Sequence, residues 1–293
     1  MALLRMGFVW VLVLFCLGAC APAHQGVLDI RDAEVRTVAV NGAQLGYCEL
    51  GRGEPLLMIM GYAGTMDVWD PVLLARLAKA RRVILFDNRG VGRSQAPQGP
   101  LSMDLMAADA GALLDALGIE SADVFGWSMG SVIAQELALA RPAKVRKLVL
   151  YGSIYEKEPV QKSLARFAAM TPEQFLAALF PEPWTQAHPG IHSRLPVPAI
   201  PADAAWVARQ ADALTAWPGS ADRLGGLAKD VLLVVGTEDN VTPPAQSAGL
   251  AAMIEGAWLA RFKGGGHWLM YQAPEDLARL VVDFLDLRQN LGP

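Results

Sequence analysis

The sequence is poor in cysteine and histidine and lacks any cluster of basic residues. It has three cysteines and four histidines among 293 residues, and its formal net charge is −4 at pH 7. The electrostatic footprint of a nucleic-acid-binding protein is therefore missing. No internal repeat or low-complexity tract is present, and 53% of the residues are hydrophobic, which excludes a disordered chain. We expect a globular protein that does not bind nucleic acid.

Two of the three cysteines lie in an apolar N-terminal segment. Arg5 precedes an apolar run over residues 6–17, and Leu17-Gly18-Ala19-Cys20 follows. These features resemble a bacterial lipoprotein signal, so we predict a signal peptide over residues 1–19 and a lipid-modified Cys20 that attaches the protein to a membrane of the cell envelope. A plain secretory signal cut near Ala23, giving a soluble exported protein, and an uncleaved anchor are the alternatives. Cys48 is then the one unmodified thiol, and no intramolecular disulfide is expected.

Beyond a spacer over residues 20–32, strands and helices alternate. Residues 34–40 and 44–50 flank Asn41-Gly42, a dipeptide favoured in two-residue hairpin turns, which predicts an antiparallel hairpin. Further strands are predicted at 55–60, 82–86, 147–151, 231–235 and 257–262, and helices at 66–80, 102–117, 132–140, 245–254 and 275–287. Such alternation indicates an α/β fold with parallel strands and right-handed helical crossovers.

The alternation is interrupted between residues 153 and 222. This segment has nine prolines and short helical patterns at 172–179 and 202–214. We predict a helical cap inserted into a core of residues 33–152 and 223–293, because structureless connections of this length are uncommon. Its large apolar side chains either line an apolar pocket or pack the insertion onto the sheet, and they are Phe167, Met170, Phe175, Leu179, Phe180, Trp184, Trp206 and Trp217.

The chemistry-bearing motif is Gly126-Trp127-Ser128-Met129-Gly130, which lies between an apolar strand and a helical segment. A sharp strand-to-helix turn brings backbone segments so close that side chains at the two glycines would clash. Ser128 would stand exposed at the apex of the turn. The first amides of the following helix are unpaired and favour negative charge beside it. We therefore predict that Ser128 is a nucleophile.

A serine nucleophile needs a base and an acid. His267 follows three glycines at the end of the last strand, at the sheet edge where Ser128 is expected, and we predict that it is the base. His24 lies in the spacer. His188 and His192 lie in a Pro-Gly segment that we expect not to be helical, so their spacing does not make a metal-binding face, and no metal or cofactor site is predicted.

The acid is predicted in the loop that follows the strand at 231–235. Asp239 is the better candidate, because it is the carboxylate at the loop apex, and Glu238 is the alternative. The chain order of serine, aspartate and histidine is the order expected for a nucleophile on a strand-to-helix turn of an α/β sheet.

Together these residues resemble the α/β-hydrolase family over about residues 34–289. The resemblance includes Asp87-Asn88-Arg89-Gly90-Val91-Gly92-Arg93-Ser94, which is similar to the family's loop after its fourth strand. This loop lacks the Gly-Lys-Ser/Thr of a phosphate cradle, so Asp87 and Arg89 are expected to brace loops. The resemblance implies a mostly parallel eight-stranded sheet flanked by helices. It also implies an oxyanion hole formed by the backbone amides of Tyr62 and Met129, although Met60-Gly61 replaces the His-Gly of many members.

The resemblance implies that the chain hydrolyses a carboxylic ester or lactone without a cofactor. One alternative is a cofactor-free perhydrolase or haloperoxidase-like activity, which members with a similar Ser-Met-Gly turn show. Another is a noncatalytic envelope protein that binds a ligand. The Gly-Gly-Pro-Gly-type loop of proline iminopeptidases is missing, which argues against an N-terminal exopeptidase.

Overall fold

The computed structural model describes Ile30 and residues 33–287 of the chain. The predicted signal segment, Cys20 and His24 lie outside the described residues. The strands are β1 (Arg36–Val40), β2 (Ala43–Leu50), β3 (Pro55–Ile59), β4 (Arg82–Phe86), β5 (Ala122–Trp127), β6 (Val145–Tyr151), β7 (Asp230–Gly236) and β8 (Trp258–Phe262). They form one eight-stranded sheet in the order β1-β2-β4-β3-β5-β6-β7-β8.

The sheet is parallel except at one edge. β2 pairs antiparallel with both β1 and β4, and the strands from β4 to β8 pair in parallel. Asn41 and Gly42, between β1 and β2, have φ of 44° and 74°, as a two-residue hairpin turn requires. The predicted hairpin and the mostly parallel eight-stranded sheet are confirmed.

Helices cover both faces of the sheet. They are α1 (Pro71–Ala78), α2 (Met103–Ala116), α3 (Met129–Ala140), α4 (Lys157–Ala168), α5 (Pro172–Leu179), α6 (Glu182–Ala187), α7 (Ile191–Arg194), α8 (Ala204–Ala216), α9 (Ala221–Leu224), α10 (Pro244–Met253), α11 (Leu269–Gln272) and α12 (Pro274–Asp286). Side chains of β3 alternate between the two faces: Leu57 and Ile59 join the core under α2 and α3, whereas Leu56 and Met58 join the core under α1 and α12. This burial on both faces explains the continuous apolar strands.

The prediction of one helix over residues 66–80 was wrong. The chain instead forms a 3-10 turn at Met66–Val68 and then α1, which begins at Pro71. Proline has no amide hydrogen and forces the residue before it into an extended conformation, so a helix cannot run through Asp70. Asp70 accepts hydrogen bonds from the amides of Val72 and Leu73 and so caps the new helix.

Six helices, α4 to α9, lie between β6 and β7. We call residues 153–222 the insertion. The helix predicted at 172–179 is α5, and the one predicted at 202–214 is α8, displaced by two residues. His192 lies in the four-residue helix α7, so the expectation of a wholly non-helical segment there was wrong, because Pro189 and Gly190 precede the helix instead of interrupting it. Within residues 33–287, every helix is too short or too polar to span a bilayer.

The carboxyl ends of the parallel strands meet at one edge of the sheet. β5 ends beside Ser128, β7 leads to Asp239, and His267 follows β8. The loop after β3, which carries Tyr62, emerges at the same edge. In open α/β sheets this edge is where ligands bind.

Candidate active site

Ser128 stands on a strained turn between β5 and α3. Its φ is 55°, a left-handed value that few residues other than glycine adopt, and its amide donates to the carbonyl of Tyr151 over 2.9 Å. A Cβ on Gly126 would lie 2.3 Å from the carbonyl oxygen of Gly130, and one on Gly130 would lie 2.0 Å from that of Ile59. The two glycines therefore have the steric role expected from the sequence. The side chain of Ser128 remains partly exposed.

The structure brings Ser128, His267 and Asp239 into one hydrogen-bonded chain. His267 Nε2 lies 3.0 Å from Ser128 Oγ, and His267 Nδ1 lies 2.9 Å from Asp239 Oδ2. An ionised carboxylate only accepts hydrogen bonds, so Nδ1 carries the proton and Nε2 is left to accept the hydroxyl proton of Ser128. His267 and Asp239 are both 2% exposed, so water does not compete for this contact.

Asp239 is fixed by its own loop. Its Oδ1 accepts from the amides of Val241 and Thr242, each over 2.8 Å. Its Oδ2 accepts from the hydroxyl of Thr242, also over 2.8 Å, in addition to His267. Four hydrogen bonds satisfy both carboxylate oxygens and compensate for the loss of water on burial. Thr242 could not be identified from the sequence, because only its place three residues after Asp239 links the two.

Two aromatic residues at the ends of β5 and β6 hold the backbone of His267. Tyr151 Oη donates to the carbonyl oxygen of His267 over 2.6 Å, and Trp127 Nε1 donates to the same oxygen over 3.2 Å. The rings of Trp127 and His267 are also in contact, with centroids 5.2 Å apart. Burial raises the pKa of Tyr151 well above its usual value, so its hydroxyl keeps the proton that it donates.

Tyr62 and Met129, whose backbone amides are predicted to form the oxyanion hole, line the same small cavity as Ser128. Met129 is the first residue of α3, so its amide belongs to the group that has no acceptor within the helix. Burial, and then the negative charge of Asp212, raise the pKa of the Tyr62 phenol, which therefore presents a neutral side chain to the cavity.

The cavity next to Ser128 is small and mostly apolar. Its volume is about 40 Å³, far below the roughly 300–1,000 Å³ of sites for drug-sized ligands. Its apolar lining consists of Met129, Ile154, Pro159, Val160, Leu164, Phe167, Leu214 and Val241. Its polar lining is Tyr62, Ser128, Ser163 and Thr242. Such a lining suits a short uncharged group attached to the carbon that Ser128 would attack.

The aromatic residues of the insertion divide between the two roles left open by the sequence. Phe167 lines the cavity. Trp206 instead packs on the loop after β4, where a Cβ on Gly90 would lie 2.0 Å from its ring, and Trp217 Nε1 donates to Glu136 on α3 over 2.7 Å. Phe180 and Trp184 stack on each other with centroids 5.2 Å apart.

The remaining candidates lie apart from the three-residue chain. Glu238 is exposed, and its backbone amide donates to Gly265, so the acidic partner of His267 is Asp239. His188 Nδ1 contacts the carbonyl oxygen of Trp184 in the insertion.

Asp87 and Arg89 brace loops, as expected. Asp87 accepts from the backbone amides of Met66 and Arg93 over 2.6 and 2.7 Å. Arg89 makes a two-pronged contact with Asp109 over 2.7 and 2.8 Å.

Both a family model and a curated relative that match this chain are hydrolases. Residues 54–274 match a family model described as alpha/beta hydrolase fold. A 2-hydroxymuconate semialdehyde hydrolase of Pseudomonas sp. strain CF600 is 32% identical over 270 residues, which cover 85% of this chain and 93% of that protein.

Two solved structures align with this chain over nearly their whole length. The enol-lactonase from Burkholderia xenovorans LB400 has a TM-score of 0.76 and 25% identity, and the alignment covers 86% of this chain and 100% of that one. A thermophilic esterase from Thermogutta terrifontis has a TM-score of 0.74 and 25% identity, with 86% and 98% covered.

Proposed function

The chain belongs to the alpha/beta hydrolase fold family, and on that premise we propose that it is a serine hydrolase that cleaves a carboxylic ester or lactone. The observation that carries this proposal is the contact of His267 with Ser128 Oγ on one side, over 3.0 Å, and with Asp239 on the other, over 2.9 Å. A base within hydrogen-bond distance of a serine, itself oriented by a carboxylate, is the arrangement that nucleophilic acyl transfer requires.

The reaction proceeds in two halves. His267 Nε2 takes the hydroxyl proton as Ser128 Oγ attacks the substrate carbonyl, and the amides of Met129 and Tyr62 donate to the oxyanion that forms. His267 then gives the proton to the departing alkoxide, which leaves as an alcohol. In the second half, His267 removes a proton from water, the resulting hydroxide attacks the acyl-enzyme, and the acid departs as Ser128 recovers its proton. Asp239 stabilises the imidazolium that forms in each half.

The cavity lining favours an uncharged acyl group with a short apolar chain. Eight apolar side chains line the cavity that Ser128 also lines, and the burial of apolar surface is their main contribution to binding. The enol-lactonase and esterase structures resemble this chain over most of their length, which supports ester and lactone substrates.

The 32% identity to the Pseudomonas relative favours a second candidate, hydrolysis of a substrate like 2-hydroxymuconate semialdehyde. A muconate derivative carries a carboxylate, and none of the described residues that line the cavity is a lysine or arginine that could pair with it. Comparing kcat/KM for 2-hydroxymuconate semialdehyde with that for 4-nitrophenyl butyrate separates the two. A higher value for the muconate compound would replace the first proposal.

The direct kinetic test uses the ester and two variants. Ser128→Ala loses the nucleophile and is expected to lower kcat by roughly 10⁶, and Asp239→Asn by roughly 10⁴, because the wrong tautomer of His267 is then favoured. Both variants should remain folded by circular dichroism. Ester hydrolysis by Ser128→Ala at more than a hundredth of the wild-type rate would contradict the proposal.

We also propose that the chain is exported and anchored in the bacterial cell envelope through a lipid on Cys20, with residues 33–152 and 223–293 as the hydrolase core and 153–222 as its cap. The support is the apolar run at 6–17 followed by Leu17-Gly18-Ala19-Cys20. Mass spectrometry of the protein isolated from membranes should show an acylated Cys20 as the first residue. An unmodified soluble chain that begins elsewhere would contradict the anchor.

A further inference from the structure

The loop that carries Tyr62 is tied to the insertion by one buried side chain. Gln210, on α8, accepts a hydrogen bond through its Oε1 from the amide of Ala63 over 2.9 Å. Gln210 is 0% exposed, although it comes from a segment 147 residues further along the chain. The Ala63 amide belongs to the peptide unit that follows the one carrying the Tyr62 amide, so the contact restrains the backbone next to that group.

The backbone conformation of Ala63 requires stabilisation by contacts from outside its own loop. Its φ is 57°, a left-handed conformation that costs a residue with a Cβ free energy and persists only when the surroundings impose it. Gly61, two residues before Ala63, lies close to Ser128, since a Cβ on Gly61 would lie 3.1 Å from Ser128 Cβ. A change in the backbone at Ala63 would therefore move the oxyanion amide relative to Ser128.

The amide nitrogen of Gln210 indicates that the residue is needed for the hydrogen bond accepted by its oxygen. Among the described residues, Gln210 Nε2 is a buried nitrogen with no hydrogen-bond partner. A buried amide with an unpaired donor costs free energy, and methionine or leucine would fill the same space without that cost. Packing alone does not account for a glutamine at this position.

Gln210 is part of a stripe of α8 that faces the site. Trp206, one turn earlier, packs on Gly90 in the loop after β4, and Leu214, one turn later, lines the cavity with Ser128. Residues four apart lie on one face of a helix. The helix α8 thus contacts the loop after β4 and the loop that carries Tyr62, and it also lines the cavity.

We propose that Gln210 is a positioning residue that holds the Tyr62 amide in place from the insertion, so that the oxyanion hole is complete only while α8 is docked on the core. The inference rests on the proposed function, because the Tyr62 amide stabilises an oxyanion only in an acyl-transfer reaction. It assigns a catalytic consequence to the insertion beyond covering the substrate.

The test measures 4-nitrophenyl butyrate hydrolysis and amide hydrogen exchange of residues 61–64 in the full chain. Gln210→Met fills the space but removes the acceptor. We expect kcat to fall about tenfold or more, below the ~10²–10³ of losing a donor outright, with KM changed less than about twofold. Exchange of the Ala63 amide should accelerate by at least about tenfold, because its acceptor is gone.

Two further variants separate positioning from packing. Gln210→Glu keeps an acceptor oxygen at the same reach, so it should retain a higher kcat than Gln210→Met. Val207→Ala removes buried volume from the same helix but leaves the hydrogen bond, so kcat and Ala63 exchange should match wild type.

Wild-type kcat and exchange in Gln210→Met would overturn the inference, and so would an equal loss of kcat in Val207→Ala. If Gln210→Met does not fold, Gln210→Leu, which also lacks the acceptor, takes its place: faster Ala63 exchange and a lower kcat than in Val207→Ala support the inference, and values that match Val207→Ala in both measurements overturn it. A failure of the proposed function is distinguishable, because the wild type itself would then hydrolyse no ester, while the exchange measurement would still report on Gln210.

Discussion

The ring of His267 contacts Asp239 through Nδ1. The backbone carbonyl oxygen of His267 accepts hydrogen bonds from Tyr151 and Trp127. These contacts leave only Nε2 to face Ser128. Thr242 takes part indirectly, since its hydroxyl donates to the carboxylate oxygen that also receives His267 Nδ1. Hydrogen bonds with residues at or beyond the ends of three strands thus orient His267.

Thr242→Val tests the role of this hydroxyl. Valine has nearly the same shape but cannot donate to Asp239, so the carboxylate oxygen keeps His267 as its one side-chain partner. We expect kcat for an ester to fall about tenfold, far less than the ~10⁴ of losing the acid itself. Steady-state kinetics with 4-nitrophenyl butyrate measures this. Thr242→Ser is the control, because it keeps the hydroxyl and should have a kcat close to that of the wild type. An unchanged kcat in Thr242→Val would show that the hydrogen bond from Thr242 to Asp239 does not contribute to activity.

At the scale of elements, the turn from β5 to α3 is the most constrained part of the site. α3 starts directly at Met129, and the turn is so sharp that Gly130 touches the carbonyl of Ile59 on β3. Backbone of two strands and one helix therefore meet with no room for a side chain. The position of Ser128 is fixed by this packing before any interaction with His267.

Gly130→Ala should strongly destabilise the fold. Its Cβ would lie 2.0 Å from the carbonyl oxygen of Ile59, which belongs to the sheet and cannot move aside. We expect a loss of about 3 kcal/mol or more in the free energy of unfolding, measured by urea denaturation. Gly99→Ala is the matched control, since a Cβ there meets nothing within 4 Å, and its effect should be within about 1 kcal/mol. A Gly130→Ala protein of wild-type stability would contradict this account of the turn.

The start of α1 gives stability a pH dependence. Burial, opposed by the hydrogen bonds from Leu73 and Val72, raises the pKa of Asp70 from 3.8 to about 6. The folded state therefore binds the proton more tightly than the unfolded state. The resulting stability is fully present below about pH 4 and is lost as the pH rises through 6.

Asp70→Asn removes this titration but keeps an oxygen that can cap the helix. The stability of the wild type relative to the variant should fall by about 2 kcal/mol between pH 4 and pH 7, because most of the free energy of a pKa difference of about two units is lost over that range. Urea denaturation of both proteins at the two pH values measures the difference. If the difference stays constant with pH, Asp70 does not titrate as described.

At the scale of the whole molecule, the sequence predicted the elements whose signals are local. The buried strands, the Asn41-Gly42 turn and the close contacts of Gly126 and Gly130 follow from residue type and spacing. The order of Ser128, Asp239 and His267 along the chain, together with the shared edge of a parallel sheet, was enough to predict that they meet. The helix predicted across Asp70 and Pro71 does not form, because Pro71 cannot continue a helix and instead begins α1.

The contacts between distant segments could not be predicted from the sequence. In the sequence, Tyr151 and Trp127 are recognisable only as residues of buried strands. Their hydrogen bonds to the carbonyl oxygen of His267 depend on where the loop after β8 lies in the fold. Gln210 gave no signal either, because its partner at Ala63 is distant in sequence and its role depends on how α8 docks. The insertion aromatics were ambiguous for the same reason, since hydrophobicity does not say which neighbour a ring will meet.

The proposed hydrolysis requires that Ser128 is an activated nucleophile. Purified residues 21–293, as wild type and as Ser128→Ala, should be treated with a fluorophosphonate probe and their intact masses recorded, which requires no knowledge of the substrate. We predict a single adduct on the wild type and none on the variant, because His267 Nε2 lies 3.0 Å from Ser128 Oγ and can take its proton. A folded wild-type protein that forms no adduct, or an adduct that persists in Ser128→Ala, would contradict the central claim.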